Sequence, residues 1–165
     1  MLQRGFTLIE LLVVLVIVGL FSSMVMLTVT PNDNRNIERE IKRLMVVTQL
    51  AQDEAVMQGI ELGLTVQSDR YFFSRLQENR WLPLASDGQL SEHILDSSLV
   101  MELDVEGEES VQSVDDETQL PAIMILSSGE LTGFKLSLYS VEQADNIFQI
   151  IGQENGQLTL QSPNE

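Results

Sequence analysis

The chain has 165 residues, of which nine are basic and 25 acidic, so its formal net charge is −16 at pH 7. That length leaves room for one domain of ordinary size beside an apolar N-terminal segment. The charge disfavours binding to nucleic acid and to anionic membrane surfaces, because both are negatively charged. Since the chain contains no cysteine, a disulfide framework, a thiol enzyme and a zinc–thiolate site are excluded.

The first ten residues place a short basic leader and a glycine ahead of a long apolar run. Residues 11–32 contain no charged side chain, so Glu10 is a single carboxylate at the start of a membrane-length segment. A carboxylate at the centre of a bilayer costs about 2.5–3.5 kcal/mol and is usually paired. The sequence therefore predicts a partner for Glu10.

A secretory signal peptide does not fit this arrangement, because its apolar region precedes a cut that follows small residues. Here the small residue Gly5 precedes the apolar run, so a cut after it would leave that run on the mature chain, starting at Phe6. The sequence from Gly5 to Glu10, Gly-Phe-Thr-Leu-Ile-Glu, resembles the class III signal of type IV pilins and type II secretion pseudopilins. The resemblance implies cleavage after Gly5 by a prepilin peptidase and N-methylation of the new Phe6 amine.

The apolar run is long enough to cross a membrane. As a helix, residues 6–30 would span about 37 Å at about 1.5 Å per residue, against a hydrocarbon core of about 30 Å. Four basic residues lie close behind the run, at positions 35, 39, 42 and 43, and only Arg4 precedes it, so the positive-inside rule favours a cytoplasmic C-terminal side. The family resemblance implies the opposite, namely a single-pass protein of the Gram-negative inner membrane with a periplasmic C-terminal domain.

A second helical stretch is predicted for residues 31–59. Pro31 interrupts the helical hydrogen bonds, and residues 32–34 are suited to capping a new helix. A 4-3-4-3-4 spacing then predicts one buried stripe, which Met45, Leu50 and Val56 would widen. The stripe consists of Ile37, Ile41, Leu44, Thr48, Ala51 and Ala55.

The other face of this stretch is polar, and Gly59 is expected to end the helix. We expect the polar face to meet either solvent or a neighbouring subunit. Together, residues 6–59 are predicted to form one long helix, bent at Pro31, whose second half packs on a globular head. The polar face carries Glu38, Arg39, Lys42, Gln49 and Asp53.

After Gly59 the hydrophobic period changes from helical to alternating, which indicates strands. Asn155-Gly156 separates the last two and predicts a two-residue hairpin turn. Six or seven strands behind one helix predict an α+β fold, in which the head, residues 60–165, has a largely antiparallel sheet. The predicted strands cover residues 62–66, 71–73, 99–105, 122–126, 134–138, 147–153 and 157–161.

Two segments interrupt the predicted strands. Residues 83–98 are expected to form a loop. Residues 106–119 are acidic and polar, which raises the question of calcium, a cation that takes six to eight oxygen ligands. The alternating acidic pattern of an EF-hand is absent, so we favour a solvated loop and expect neither a metal site nor a cofactor.

Catalytic and nucleic-acid-binding patterns are weak. The single histidine, His93, lies in the predicted loop; Asp87 or Asp96 would complete a Ser/His/Asp set, but the nucleophile-elbow motif is absent. We therefore expect His93 to be a surface residue. The cluster Tyr71-Phe72-Phe73 is expected to belong to the core rather than to a base-stacking platform.

Two further segments, Ala51–Gly59 and Ile123–Phe134, resemble the minor pseudopilin H family (GspH) of type II secretion. With residues 5–18 the resemblance covers about a quarter of the chain, although FimT-type minor pilins share the two later segments. It implies a pilin-like fold and contacts with the minor pseudopilins I, J and K and the major subunit. It also implies that Glu10 pairs with the methylated Phe6 amine of an adjacent subunit.

Three functions compete at this point. The first is a structural subunit of the pseudopilus that helps to export folded proteins across the outer membrane. The second is a FimT-like minor pilin in pilus assembly or DNA uptake, which would need a basic surface. After Trp81 the only basic residue is Lys135, which argues against DNA binding. The third is a membrane-tethered enzyme, for which no site was found.

Overall fold

A computed structural model describes residues 8–26, 33–84, 88–106 and 120–163. The chain divides into two compact units, residues 1–32 and 33–165. The first unit contains helix α1 (Leu8–Met26) and the second begins with helix α2 (Asp33–Gln58). The predicted leader, residues 1–5, and the predicted bend at Pro31 lie outside the described residues, so both stay predictions.

Helix α2 buries the stripe that its sequence predicts. Each of the six stripe residues is at most 2% exposed. The polar member, Thr48, satisfies its hydroxyl by donating to the backbone carbonyl of Leu44 at 2.8 Å. The helix ends at Gln58, and Gly59 has φ +64°, the left-handed conformation that commonly ends a helix at a glycine. The stripe and the glycine stop are confirmed.

One predicted member of the core-facing side of α2 is wrong. Val56 is 51% exposed, whereas Met45 and Leu50 pack against the core. Val56 follows the buried Ala55 by one residue, which is a rotation of about 100° around the helix. That rotation carries Val56 off the buried face.

The second unit contains nine described strands in two antiparallel sheets. In the first sheet the order is β3-β2-β1-β6, with β4 also paired to β2; in the second it is β5-β7-β8-β9. Every strand pair is antiparallel, and α2 contacts both sheets. The strands are β1 (Leu62–Val66), β2 (Arg70–Gln77), β3 (Arg80–Pro83), β4 (His93–Ile94), β5 (Leu99–Val105), β6 (Ile123–Ile125), β7 (Phe134–Ser140), β8 (Gln143–Gly152) and β9 (Leu158–Gln161).

The predicted antiparallel arrangement is confirmed; the structure has nine described strands in two sheets, where the sequence predicted six or seven strands and did not show how they are grouped. Alternation shows which face of a strand is buried but not which strand it pairs with, so the division into two sheets is not visible in the sequence. Strand β3 was missed because its turn, Glu78-Asn79, lacks glycine and still adopts φ of 50° and 64°. Strand β4 has two residues and lies inside the segment predicted to be a loop.

The predicted hairpin between β8 and β9 is present, but its turn is longer than expected. Gly156 donates to the carbonyl of Gln153 at 2.9 Å, and Gln153 donates to the carbonyl of Gln157 at 2.9 Å. Only the glycine of the Asn155-Gly156 pair has positive φ, at +85°. This is a three-residue loop with a glycine bulge, in place of the two-residue Asn-Gly turn of type I′, which needs positive φ at both central residues.

Candidate assembly site

The described side chains of α1 are apolar on all sides of the helix. From Leu8 to Val18 every residue is exposed, and all except Glu10 are Leu, Ile or Val. A helix that is apolar all round is normally buried in a protein interior or in a membrane. The exposed surface of the described part of α1 is therefore of the kind that a protein interior or a membrane normally covers.

Glu10 lies in the first turn of α1. The positive end of the helix dipole favours a carboxylate there, by about 0.3–1 kcal/mol at an exposed site. The side chain is exposed, and it makes no ion pair with another described residue. Within the described chain, Glu10 thus stands on an apolar surface without a counter-charge.

The rest of the predicted N-terminal site extends beyond the described residues. Gly5 and Phe6 both lie outside them, so the cleavage and methylation site stays a prediction. Among the described residues, no helix combines the length and the apolar character that a membrane crossing needs. The span predicted for residues 6–30, part of which lies outside the described chain, also stays a prediction.

The sequence predicts that His93 lies in a surface loop, and this prediction is wrong. His93 lies on β4, paired with Tyr71 of β2, and its Nε2 is 2.8 Å from Oε2 of Glu40 on α2. The two side chains are only 18% and 27% exposed, and the Tyr71 ring lies 5.3 Å from the imidazole. The histidine therefore ties β4 to α2, and its contacts are those of a structural residue.

The structure does not assemble the Ser/His/Asp set considered from the sequence. Asp87 lies outside the described residues. Asp96 accepts hydrogen bonds from the backbone N–H and the hydroxyl of Ser98, at 2.9 and 2.8 Å. The backbone hydrogen bond in particular lowers the pKa of Asp96, which fits a carboxylate that closes a local turn. His93 meets Glu40 instead.

Two of the three residues of the aromatic cluster on β2, Tyr71 and Phe73, belong to the core as predicted, whereas Phe72 between them is half-buried. Tyr71 and Phe73 are buried, and their rings meet edge to face at 6.3 Å. Burial raises the pKa of the Tyr71 hydroxyl. The neighbouring Arg70 is held by Asp69 at 3.1 Å and by Glu92 at 3.2 Å. These two rings therefore do not offer a stacking surface for bases.

A metal site is not visible in the part of the chain that the structure describes. No group of three or more His, Asp or Glu side chains in that part is placed to hold an ion. Apart from Glu106, the acidic segment 106–119 lies outside the described residues. The prediction of a solvated segment without calcium therefore stays a prediction.

The two later family-like segments lie beside each other near the end of α2, where Cγ2 of Val56 is 3.7 Å from the position that a Cβ would take on Gly129. In the first segment, Gln52 donates to the carbonyl of Gly156 at 2.8 Å. Just beyond it, the Glu61 carboxylate accepts from the backbone N–H and the hydroxyl of Ser127 in the second segment, at 3.1 and 2.8 Å. These contacts join α2, the start of β1 and two turns, so the resemblance marks a packing junction of the fold.

Two exposed apolar residues of α2, Val46 and Met57, were not predicted from the sequence. Val46 and Met57 are 60% and 86% exposed on a face expected to be polar. Their spacing from the polar residues of that face was the available signal, because residues 46, 53 and 57 fall on one side of a 3.6-residue helix.

Two parts of the chain match known protein families. Residues 1–26 match the prokaryotic N-terminal methylation motif, and residues 40–160 match the family described as type II transport protein GspH. The type II secretion system protein H of Pseudomonas aeruginosa is 38% identical over 145 residues, which cover 82% of this chain and 83% of that protein.

Two solved structures share the fold. The minor pseudopilin EpsH from the type II secretion system of Vibrio cholerae superposes with a TM-score of 0.67 at 24% identity, covering 80% of this chain and 97% of that one. The type IV minor pilin FimU of Pseudomonas aeruginosa gives a TM-score of 0.55 at 13% identity, covering 79% and 92%. Because both kinds of protein share the fold, the fold alone does not separate them.

The N-terminal methylation motif and the helix packed on antiparallel sheets define a pilin-like protein. The GspH match spans residues 40–160, which is well over half of the sequence, so the chain belongs to the type II transport protein GspH family. The predicted pilin-like α+β fold and the predicted type II secretion family are both confirmed.

Proposed function

We propose that this minor pseudopilin of type II secretion acts as a structural subunit of the pseudopilus, which helps to export folded proteins across the outer membrane. The observation that carries the proposal is the described part of α1, an exposed apolar helix with one unpaired carboxylate. Such a helix is stabilised when other helices pack around it. Its exposed surface therefore suits a subunit whose N-terminal helix joins a bundle.

The mature subunit would begin at Phe6. We propose that prepilin peptidase cuts between Gly5 and Phe6 and that the Phe6 amine is then methylated; the match of residues 1–26 to a methylation motif supports this. A glutamate at position 5 would place a charge where the peptidase meets a small residue. Cleavage of the parent protein shifts its band on a gel, and the change Gly5→Glu should abolish this shift. The Gly5→Ala protein is the control, and a shift like that of the parent would show that the peptidase tolerates a small side chain.

The partner proposed for Glu10 is the methylated Phe6 amine of an adjacent subunit. Inside a bundle of apolar helices two opposite charges are poorly screened, so pairing offsets part of their desolvation. A carboxylate without its partner would penalise a wrong register between subunits. The contact would thus set the position of the subunit as well as hold it.

The change Glu10→Ala tests this pairing. Cleavage after Gly5 should stay intact, while incorporation into the pseudopilus and secretion should fall. Asp104→Ala, which removes an exposed carboxylate from β5, is the matched control and should secrete normally. Normal secretion by the Glu10→Ala protein would refute the pairing for this subunit.

We further propose a single-pass location in the Gram-negative inner membrane with the second unit in the periplasm. The family supports this topology, although the basic residues after the apolar run oppose it under the positive-inside rule. A periplasmic reporter enzyme fused after the last residue should be active. An inactive fusion, together with an active cytoplasmic reporter at the same place, would reverse the topology.

The proposed partners are the minor pseudopilins I, J and K, the major subunit and the prepilin peptidase. The runner-up function, a FimT-like minor pilin in DNA uptake, predicts binding to DNA. The chain carries 25 acidic residues against nine basic ones, so we expect no retention in a filter-binding assay at low salt. Retention of DNA there would favour the runner-up. No cofactor enters the proposal.

A further inference from the structure

The turn between β8 and β9 contains the pair Asn155-Gly156. Asn155 is the only asparagine of the sequence that is followed by glycine, and it is exposed. In such a pair the backbone nitrogen of the glycine can attack the side-chain amide of the asparagine, because glycine has no side chain to hinder the approach. The turn therefore carries the chemical groups for a covalent change, the loss of the side-chain amide.

The fold holds the two reacting groups in different ways. Oδ1 of Asn155 accepts a hydrogen bond from the backbone N–H of Gln157 at 3.0 Å. A donor at this oxygen draws electrons from Cγ and makes Cγ a better target for a nucleophile. The backbone N–H of Gly156 donates to the carbonyl of Gln153 at 2.9 Å, so the nitrogen has to leave that carbonyl before it can lose its proton and attack.

Contacts from outside the turn keep it in place. Gln52 of α2 donates to the carbonyl of Gly156 at 2.8 Å, and the backbone N–H of Leu131 donates to the carbonyl of Glu154 at 3.3 Å. Gly156 also lies so close to Gly129 that a Cβ on Gly156 would collide with the Gly129 carbonyl oxygen. These contacts oppose the local opening that would release the Gly156 nitrogen.

We propose that Asn155 is a site of deamidation and isoaspartate formation, and that the docking of the turn on α2 suppresses this reaction in the folded head. The Gly156 nitrogen gives its proton to solvent and forms a bond to Cγ of Asn155, while the bond from Cγ to Nδ2 breaks and ammonia leaves. Water then opens the resulting succinimide ring. Opening at Cγ gives aspartate, whereas opening at the backbone carbonyl gives isoaspartate, so water is the co-reactant for both products.

The two products differ in their effect on the head. In isoaspartate the backbone runs through the side chain, so the chain between positions 155 and 156 becomes one methylene longer. Gly156 would then lose the position in which its carbonyl accepts from Gln52. Aspartate carries the same added charge but keeps the length of the backbone. Isoaspartate should therefore loosen the turn from α2, and aspartate should not.

Incubation of the full chain in detergent tests the site. The purified protein is kept at neutral pH, folded or in denaturant, and tandem mass spectrometry follows isoaspartate and aspartate at position 155. The denatured chain should deamidate at least about tenfold faster, because no hydrogen bond then restrains the turn. Equal rates in the two states would overturn the protection by the fold, and the lack of deamidation in both would overturn the site.

Variants on α2 test the docking of the turn. Gln52→Ala removes the donor to Gly156 and should raise the rate of deamidation in the folded head about fivefold, as expected when one hydrogen bond no longer opposes opening. Gln52→Glu keeps the size of the side chain without the amide donor and should also raise the rate. Gln58→Ala removes an amide of α2 that donates to Glu54 at 2.8 Å, and this control should keep the rate of the parent. Unchanged rates in both Gln52 variants would overturn the role of the docking.

The stability of the products tests the consequence for the head. The isoaspartate form, isolated from the incubated protein, should unfold at a lower temperature than the Asn155→Asp protein, as measured by circular dichroism. The Asn155→Asp protein should unfold close to the parent, since its carboxylate can still accept from Gln157. Equal unfolding temperatures for isoaspartate and aspartate would overturn the proposed effect on the contact with α2.

Discussion

Helix α2 buries its apolar stripe in the head of its own chain, whereas the described part of α1 leaves its apolar side chains exposed. In α2 the stripe residues are at most 2% exposed. The helix can bury this face against the two sheets because its other face carries polar residues, which remain in water. In α1 every described side chain except Glu10 is apolar, so packing one face of the helix against the head would leave apolar side chains exposed on its other faces. The comparison shows that α2 is stabilised within the chain, and it agrees with the proposal that α1 is covered by other molecules.

The carboxylates of the two helices repeat the contrast. Glu40 on α2 finds His93 at 2.8 Å in the same unit, whereas Glu10 on α1 makes no ion pair with a described residue. A carboxylate that is satisfied within the chain contributes to folding. For Glu10, which has no ion-pair partner among the described residues, we propose a role in assembly with a partner on another chain.

The largest expected effect is on the core of the head. Ile41→Ala removes a fully buried side chain of α2 and should lower the free energy of unfolding by about 2–5 kcal/mol. The matched change on α1, Leu15→Ala, removes an exposed side chain and should leave the unfolding of the head unchanged. Thermal unfolding of the full chain in detergent, followed by circular dichroism, measures both. A similar loss in the two variants would end the distinction between the helices.

An intermediate effect is expected at the two carboxylates. Glu40→Ala removes the hydrogen-bond partner of the half-buried His93 and should cost about 1–2 kcal/mol of stability. Glu10→Ala should leave the unfolding midpoint of the head where it is. If Glu10→Ala destabilised the head as much as Glu40→Ala does, Glu10 would be a folding residue and its assignment to assembly would be wrong.

The smallest effect is a pH dependence on the exposed side of α2. The hydrogen bond from Lys42 lowers the pKa of Glu38, so the stabilisation it gives is present above the ordinary pKa of a glutamate and is lost as the pH falls through the lowered pKa. Both groups are exposed, so Lys42→Met should barely change the midpoint at neutral pH. The variant should, however, lose less stability than the parent when the pH falls from neutral to acidic. If the stability of the variant and the parent changed equally with pH, the hydrogen bond from Lys42 would not be the cause of the lowered pKa of Glu38.

The elements that follow from local rules were predicted from the sequence. The stripe of α2 has a helical period, Gly59 stops the helix with φ +64°, and the strongly alternating strands such as β5 and β7 were all placed. The features that depend on distant residues were not. The pairing of β6 with β1, the division into two sheets and the pair formed by His93 and Glu40, 53 positions apart, depend on how separate segments meet.

The candidate site was also predictable from the sequence only where a local pattern marks it. Gly5, Phe6 and Glu10 are recognisable because their spacing is a local motif, and the methylation-motif match over residues 1–26 agrees with it. The exposed side of α2 was predicted only in part, since Arg39 and Asp53 were placed on it while Val46 and Met57 were not. Exposure of an apolar residue depends on what packs against it, which a sequence pattern does not state.

The central claim is that Glu10 pairs with an amine on another chain, and zero-length cross-linking of assembled pseudopili tests it most directly. A carbodiimide joins a carboxylate to an amine only when the two are in contact. The account predicts an amide between Glu10 and the N-terminal amine of a different pseudopilin, found by mass spectrometry of the digested complex and absent from the Glu10→Gln protein. A link from Glu10 to an amine of its own chain, or no link in pseudopili that contain the subunit, would contradict it.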